Sequence, residues 1–169
     1  MILIVDAFNL IYKFPDLEDH MYKSELVEAR RGLLTLLLKF KKSWKKKVEL
    51  HVFFDGKKKN GDETRREIIS EINTYFSIDL TADHLIKEYI KRNPSPGNLT
   101  IVTSDKDILF YARKFKCPVY TSEEFSKIVL DTIKNTDNDS FTGEKPSTED
   151  DDISFWQEMF RKRNMGRRG

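Results

Sequence analysis

The chain opens on Met1-Ile2-Leu3-Ile4-Val5, an unbroken apolar run that stops at Asp6. A run without polar alternation suits a strand covered on both faces, the usual condition of a parallel sheet. Similar runs return at Val48 to Phe54, which ends on Asp55-Gly56, and at Leu99 to Thr103. Between them lie segments of helical period. Leu26, Ala29, Leu33, Leu36, Leu37, Phe40 and Trp44 mark a long amphipathic helix over Glu25 to Ser43. Ala82, Leu85, Ile86, Tyr89 and Ile90 mark a second, with Thr81 as its N-cap. Asn93 to Asn98, with Pro94, Pro96 and Gly97, ends it.

The remaining elements are shorter. Segment 62–78 is ambiguous: Thr64 to Glu67 admits a helix, whereas Ile72 to Phe76 favours a strand, placed near 71–77. Ser104 is expected to cap a helix bearing Ile108, Leu109, Ala112 and Phe115, with Asp107 completing a capping box. Pro118 to Thr121 reads as a last short strand, and Ser122 opens a helix to about Lys134. Strands alternating with helices predict a three-layer α/β/α fold with a mainly parallel sheet of about five strands and right-handed crossovers.

Charge divides the chain into three parts. Residues 1–135 form the expected domain, residues 136–152 an acidic polar linker of net −6, and residues 153–169 a basic amphipathic tail helix of net +4 carrying Ile153, Trp156, Met159 and Phe160. That leaves the body at +4, a balance that permits a polyanionic partner without demanding one. The tail suits RNA, a protein groove, or the chain's own core. Cys117 is the one cysteine, so an intramolecular disulfide is excluded. It stands before Pro118 and reads as a small buried residue, in keeping with a reducing, cytoplasmic setting. The first apolar run is too short for a secretory leader, and no stretch approaches the ~20 apolar residues of a membrane span.

Asp6, Asp83 and Asp105 follow a strand or open a helix, so a parallel sheet brings them to its carboxyl edge, where open α/β folds bind ligands. Gathered carboxylates repel one another unless a cation intervenes, and hard oxygen donors suit Mg²⁺ or Mn²⁺. Each acid also has a plainer reading as a helix cap or a dipole partner. Asp105 is the stronger ligand candidate and Asp107 the second, because positions two apart diverge on a helix. Asp55 and Asp79 are held in reserve. Asn9 is placed to orient Asp6 or to meet a substrate phosphate. His20, His51 and His84 lack zinc spacing, and no glycine-rich phosphate loop follows the first strand, which sets nucleotide cofactors aside.

Val-Asp-Ala-Phe-Asn-Leu-Ile at 5–11, Leu-Thr-Ala-Asp-His-Leu-Ile at 80–86 and Val-Thr-Ser-Asp at 102–105 occur in an order that resembles the YacP-like branch of the NYN domains, within the PIN-like nuclease superfamily. The helix with Glu28-Ala29-Arg30 and the strand ending Val52-Phe53-Phe54-Asp55-Gly56 are also similar, so the likeness spans roughly 1–130. It departs at Ala7, where the family commonly has Gly, and at Leu80, where an acid is frequent. The resemblance implies a metal-dependent endoribonuclease acting on single-stranded RNA, including mRNA on the ribosome, and leaving a 5′-phosphate and a 3′-hydroxyl. Asp6, Asp83 and Asp105 would be its catalytic acids and, with Asp107, its metal ligands. Asn9 and Ser104 would be polar groups near the substrate. Lys57, Lys58 and Lys59, which follow Asp55, are candidates for backbone phosphates. Two other readings compete: an RNA- or ribosome-binding adaptor with a weak or lost active site, and a phospho-acceptor receiver built on Asp6, Asp55 and Lys106. Lys106 directly follows the Asp105 motif instead of ending a later strand, which fits the receiver poorly.

Overall fold

Ile2–Asp6 forms β1, and its run Leu3, Ile4 and Val5 is fully buried between two layers of helices. The computed structural model describes residues 1–56, 65–77 and 80–142. After β1 come α1 (Ala7–Ile11), α2 (Pro15–Tyr22), α3 (Leu26–Ser43), β2 (Glu49–Asp55), β3 (Arg65–Ile69) and β4 (Ile72–Ser77). Then follow α4 (Ala82–Arg92), a 3-10 turn (Pro96–Asn98), β5 (Leu99–Val102), α5 (Lys106–Lys114), β6 (Val119–Tyr120) and α6 (Ser122–Thr142).

The sheet has the order β3-β4-β2-β1-β5-β6. Every pairing is parallel except the edge pair β3 and β4. Register places Val5 beside Val52 on one side and Val102 on the other, so β1, β2 and β5 end at a common edge. Alternation along the strands sends Ile4, Phe53, Leu99 and Ile101 toward α4 and α5, where Ile86, Ile90, Ile108 and Ala112 complete a core. The opposite face carries Leu3, Val5, Leu50, Val52 and Phe54. There Phe40 of α3 meets Phe125 of α6 edge-on, with ring centroids 5.5 Å apart.

Three expectations change, and α2 is an element not expected from the sequence. Segment 65–77 is a hairpin, which raises the sheet to six strands. Ser70 and Glu71 form its two-residue turn with φ of 48° and 66°, the left-handed pair that matches strand twist. Helix α2 lacks a polar N-cap; Phe14 stands there, and Pro15 supplies the preset backbone angle of a first helical residue. The cap of α5 is Asp105, not Ser104: Asp105 Oδ1 accepts from the amides of Asp107 and Ile108 at 2.9 and 3.2 Å. Finally, α6 runs to Thr142, beyond the end expected near Lys134. Its polar residues are only mild helix formers, and no glycine or proline interrupts before Gly143.

The chain divides into two compact units, Met1–Ile133 and Lys134–Gly169. The first holds the whole sheet; the described part of the second, 134–142, is the closing stretch of α6. The expected tail helix at 153–169 lies outside the described residues, as do Lys57, Lys58, Lys59 and Asp79. No helix among the described residues is long and apolar enough to cross a membrane. Cys117 is buried and donates to Pro96 O at 3.0 Å, and burial pushes its thiol up to about 11.

Candidate active site

Asp6 occupies the N-cap position of α1 but makes no capping hydrogen bond. Its Oδ2 accepts instead from Thr103 Oγ1 at 2.9 Å, and that hydroxyl oxygen accepts from the Asp105 amide at 3.1 Å. A threonine hydroxyl has one proton to give and lone pairs to receive, so Thr103 can serve both acids at once. Thr103 is fully buried just beyond β5. Sequence reasoning passed over it; the cue was a hydroxyl residue at the end of a buried strand, directly before the acidic motif.

Burial, first of all, lifts the Asp6 carboxyl from its ordinary 3.8 to about 6. The Thr103 hydrogen bond opposes the rise, and the charges of Asp55, Asp105 and Asp83 add to it. These four carboxylates therefore share one electrostatic neighbourhood. Asp55, held in reserve on sequence grounds, belongs to it. Asp107 is exposed, and its charge is not among the leading ones acting on Asp6. Its place in the first turn of α5 turns it away from Asp105, the residue that caps the helix.

Most of these acids have one oxygen occupied by the fold. Asp55 Oδ1 accepts from the Ala82 amide at 2.6 Å and from Ser77 Oγ at 3.3 Å, tying the end of β2 to the start of α4. Asp105 Oδ1 caps α5. Asp83 pairs with Lys87 one turn along α4. Its buried Oδ1 lies 3.3 Å from Lys87 Nζ, within ion-pair range yet without a hydrogen bond. His84 beside it is exposed, and its amide donates to the Thr81 cap at 3.1 Å.

Asn9 and Ser104 turn out to be cross-links. Asn9 Oδ1 accepts from the Ser104 amide at 3.0 Å and from Ser122 Oγ at 2.9 Å. The backbone N–H can only donate, which fixes the amide orientation and leaves the Asn9 nitrogen facing elsewhere. Ser104 Oγ donates to Glu123 at 2.8 Å and accepts from the Ser122 amide at 3.0 Å. Its hydroxyl thereby joins the end of β5 to α6. Lys13 completes the joint at 2.6 Å from Glu123, and the hydrogen bonds from Lys13 and Ser104 draw the Glu123 carboxyl down to about 2.

On the other face of the β2 end lies Arg30 of α3, a residue whose individual role the sequence did not signal. Its guanidinium carbon stands 5.8, 5.6 and 5.5 Å from the ring centroids of Phe8, Phe54 and Phe76. Nη2 donates to Asp55 O at 3.2 Å, while Nε is buried without a hydrogen bond.

A hard divalent cation suits this donor set in kind, since repelling carboxylates and a buried Asp83 oxygen without a donor would both gain from it. Among the described residues, however, no three acidic, histidine or cysteine side chains close around one point. The arrangement therefore fits an ion that keeps several waters and takes one or two protein carboxylates plus phosphate oxygens, as Mg²⁺ commonly does. It does not fit an ion wrapped by three protein carboxylates.

The family described as YacP-like NYN domain matches residues 3–165. Two solved structures are similar in fold. The crystal structure of Rae1 (YacP) from Bacillus subtilis is 22% identical with a TM-score of 0.65, over 100% of this chain and 95% of that one. The crystal structure of a mutant of the same Bacillus subtilis protein is 20% identical with a TM-score of 0.65, over 90% of each chain. At these identities the likeness concerns the fold alone. No curated protein matches the sequence.

Proposed function

The chain belongs to the YacP-like NYN domain family, within the PIN-like nucleases, and from that premise we propose that it is a metal-dependent endoribonuclease hydrolysing single-stranded RNA. The family supports a ribonuclease in general. The finer reading rests on one observation above all: Asp6 is buried beside Asp55, Asp105 and Asp83, and burial first, then their charges, raises its carboxyl to about 6. Carboxylates gathered in this way cost stability, and they suit a function that brings positive charge among them.

In this reading one or two of Asp6, Asp83 and Asp105 would bind Mg²⁺ or Mn²⁺ directly and the rest through its waters, with Asp55 bracing the edge through the Ala82 amide. The cation, when bound, supplies Lewis acidity that makes water a nucleophile at neutral pH and offsets charge on the scissile phosphate and leaving oxygen. The chain's own part is orientation. Thr103 fixes Asp6 Oδ2, so that any proton on Asp6 sits on Oδ1 and leaves from there as positive charge arrives. The Asn9, Ser104 and Ser122 joint holds the Thr103 to Asp105 segment against α6. The expected products carry a 5′-phosphate and a 3′-hydroxyl. Lys57, Lys58 and Lys59 remain candidates for phosphate contacts, and we assign the reaction to cytoplasmic RNA, including mRNA on the ribosome.

The lack of three convergent carboxylates among the described residues favours one second reading, an RNA- or ribosome-binding adaptor with weak or lost turnover. A cleavage assay on single-stranded and structured RNA with Mg²⁺ and with Mn²⁺, wild type beside Asp6→Asn, decides between them. The nuclease reading expects metal-dependent products from the wild type and none from Asp6→Asn. Equal cleavage by both proteins would remove Asp6 from the centre; binding without turnover under every condition would establish the adaptor.

A further inference from the structure

We propose that Arg30 is a phosphate-binding residue, taking a backbone phosphodiester of the nucleic-acid strand on the α3 side of the same strand end that carries the carboxylates. The inference rests on the nuclease reading for its ligand and on geometry for its site. An arginine offers five N–H donors, and among the described residues one hydrogen bond is made, from Nη2 to Asp55 O at 3.2 Å. The guanidinium has no carboxylate partner among the described residues. Burial lowers its pKa, with no charged neighbour among the described residues contributing.

That isolation is unusual beside so many acids. Glu28, two residues away, pairs with Arg31, and the Asp55 carboxylate is committed to the Ala82 amide on the opposite face of the sheet. Arg30 is left with a buried Nε that lacks an acceptor. A half-buried cation with unused donors is stabilised by an incoming anion, and a planar fork matches two phosphate oxygens better than any single-point acceptor. Phe8, Phe54 and Phe76 hold the plane from α1, β2 and β4, so little side-chain freedom remains to be lost on binding. Phe8 also lies two residues beyond Asp6, and the hydrogen-bonded carbonyl belongs to Asp55. A strand passing over this edge meets guanidinium on one side of β2 and carboxylates on the other.

A purely structural Arg30, stapling α3 to the β2 end, would affect folding and leave RNA affinity alone. The two roles separate in the Asp6→Asn protein, where binding is read without cleavage. Fluorescence anisotropy with a labelled oligouridylate, over about 50 to 200 mM salt, compares that protein with its Arg30→Met and Arg30→Lys derivatives. Methionine is flexible enough to fill the aromatic cage. The expected result for Arg30→Met is a loss of affinity of about tenfold, the scale of one charge-assisted hydrogen bond. The salt slope should also fall by about 0.7, the share of one single-strand phosphate contact. Arg30→Lys should regain the slope but not the whole affinity, because it keeps the charge and loses the fork.

In the cleaving protein, Arg30→Met should raise KM with kcat little changed. If Arg30→Met melts well below the parent, the Arg30 Nε–H resonance of the Asp6→Asn protein is followed by NMR during oligouridylate titration, and it should shift. Unchanged affinity and slope in a folded variant, an unmoved Nε–H resonance, or no RNA binding by the Asp6→Asn parent would each overturn the proposal. Loss of slope on Arg30→Met in a protein that never cleaves would uphold the phosphate site and defeat the nuclease reading. Normal cleavage with no change at Arg30 would do the reverse.

Discussion

Thr103 Oγ1 donates to Asp6 Oδ2 at 2.9 Å across 97 residues of sequence, joining the ends of β1 and β5 through one buried hydroxyl. The same oxygen receives the Asp105 amide at 3.1 Å. One small side chain thus sets the position of two of the proposed metal-binding acids and lowers the proton affinity of one of them.

Replacing Thr103 by Val keeps the volume and removes the hydroxyl, leaving Asp6 Oδ2 and the Asp105 amide without their partner. Loss of a buried hydrogen bond to a carboxylate is expected to destabilise the fold by about 2 kcal/mol at neutral pH, and by less at low pH where Asp6 is protonated. Thr103→Ser keeps the hydroxyl and should stay close to the wild type. Chemical denaturation of both variants at two pH values checks this. Val and Ser variants of equal stability would show that the hydroxyl bridge is not what matters.

The raised Asp6 carboxyl makes a second prediction, with a definite sign. A folded-state pKa of about 6 against 3.8 means that the folded protein binds the proton more tightly than the unfolded chain. That contribution is whole below pH 3.8 and is lost as pH rises through about 6. At pH 7.5 the ionised Asp6 therefore costs on the order of 2–3 kcal/mol, which Asp6→Asn should recover while activity disappears. Near pH 4 the two proteins should melt alike. Mg²⁺ or Mn²⁺ should raise the wild-type melting temperature at pH 7.5, less at pH 5.5, and leave Asp6→Asn nearly unmoved. Thermal melts across pH, with and without the ion, give the readout. An Asn variant no more stable than the wild type at pH 7.5 would contradict the buried-charge account.

These outcomes bear on what was visible in the sequence. The buried strands announced themselves, because Leu3, Ile4 and Val5 or Leu50 and Val52 to Phe54 are apolar on both faces, and only a doubly covered sheet tolerates that. Thr81 was legible as a cap because its cue is local, and its oxygen does accept the His84 amide. Ser104 misled for the same reason. Locally it caps as well as Asp105, and only contacts with Ser122 and Glu123, made by folding, draw its hydroxyl away. Which acids approach Asp6 depends on strand register and on where α4 begins, so local sequence could not place Asp55 beside it. Arg30 entered only as part of the family-like Glu28-Ala29-Arg30 stretch, with no role of its own. Its cage is built from three elements distant in sequence, so no local pattern could reveal it.

The hairpin offers a test that does not depend on function. Ser70 and Glu71 adopt φ of 48° and 66°, between Ile69 and Ile72, which pair across the turn. A left-handed backbone is strained for both side chains, while asparagine and glycine adopt it readily and form the preferred pair for this turn. Ser70→Asn with Glu71→Gly is therefore expected to stabilise the protein, with relief of strain at two positions worth about 1 kcal/mol less the entropy that glycine adds to the unfolded chain. Glu71 also meets Lys41 at 3.6 Å, but this pair is exposed on the glutamate side and contributes little. The backbone bond from Lys41 Nζ to Glu71 O survives either substitution. Denaturant midpoints of the single and double variants measure the effect. Destabilisation by Glu71→Gly alone, with the Lys41 pair removed separately by Lys41→Met as a control, would mean that the turn is less strained than its angles indicate.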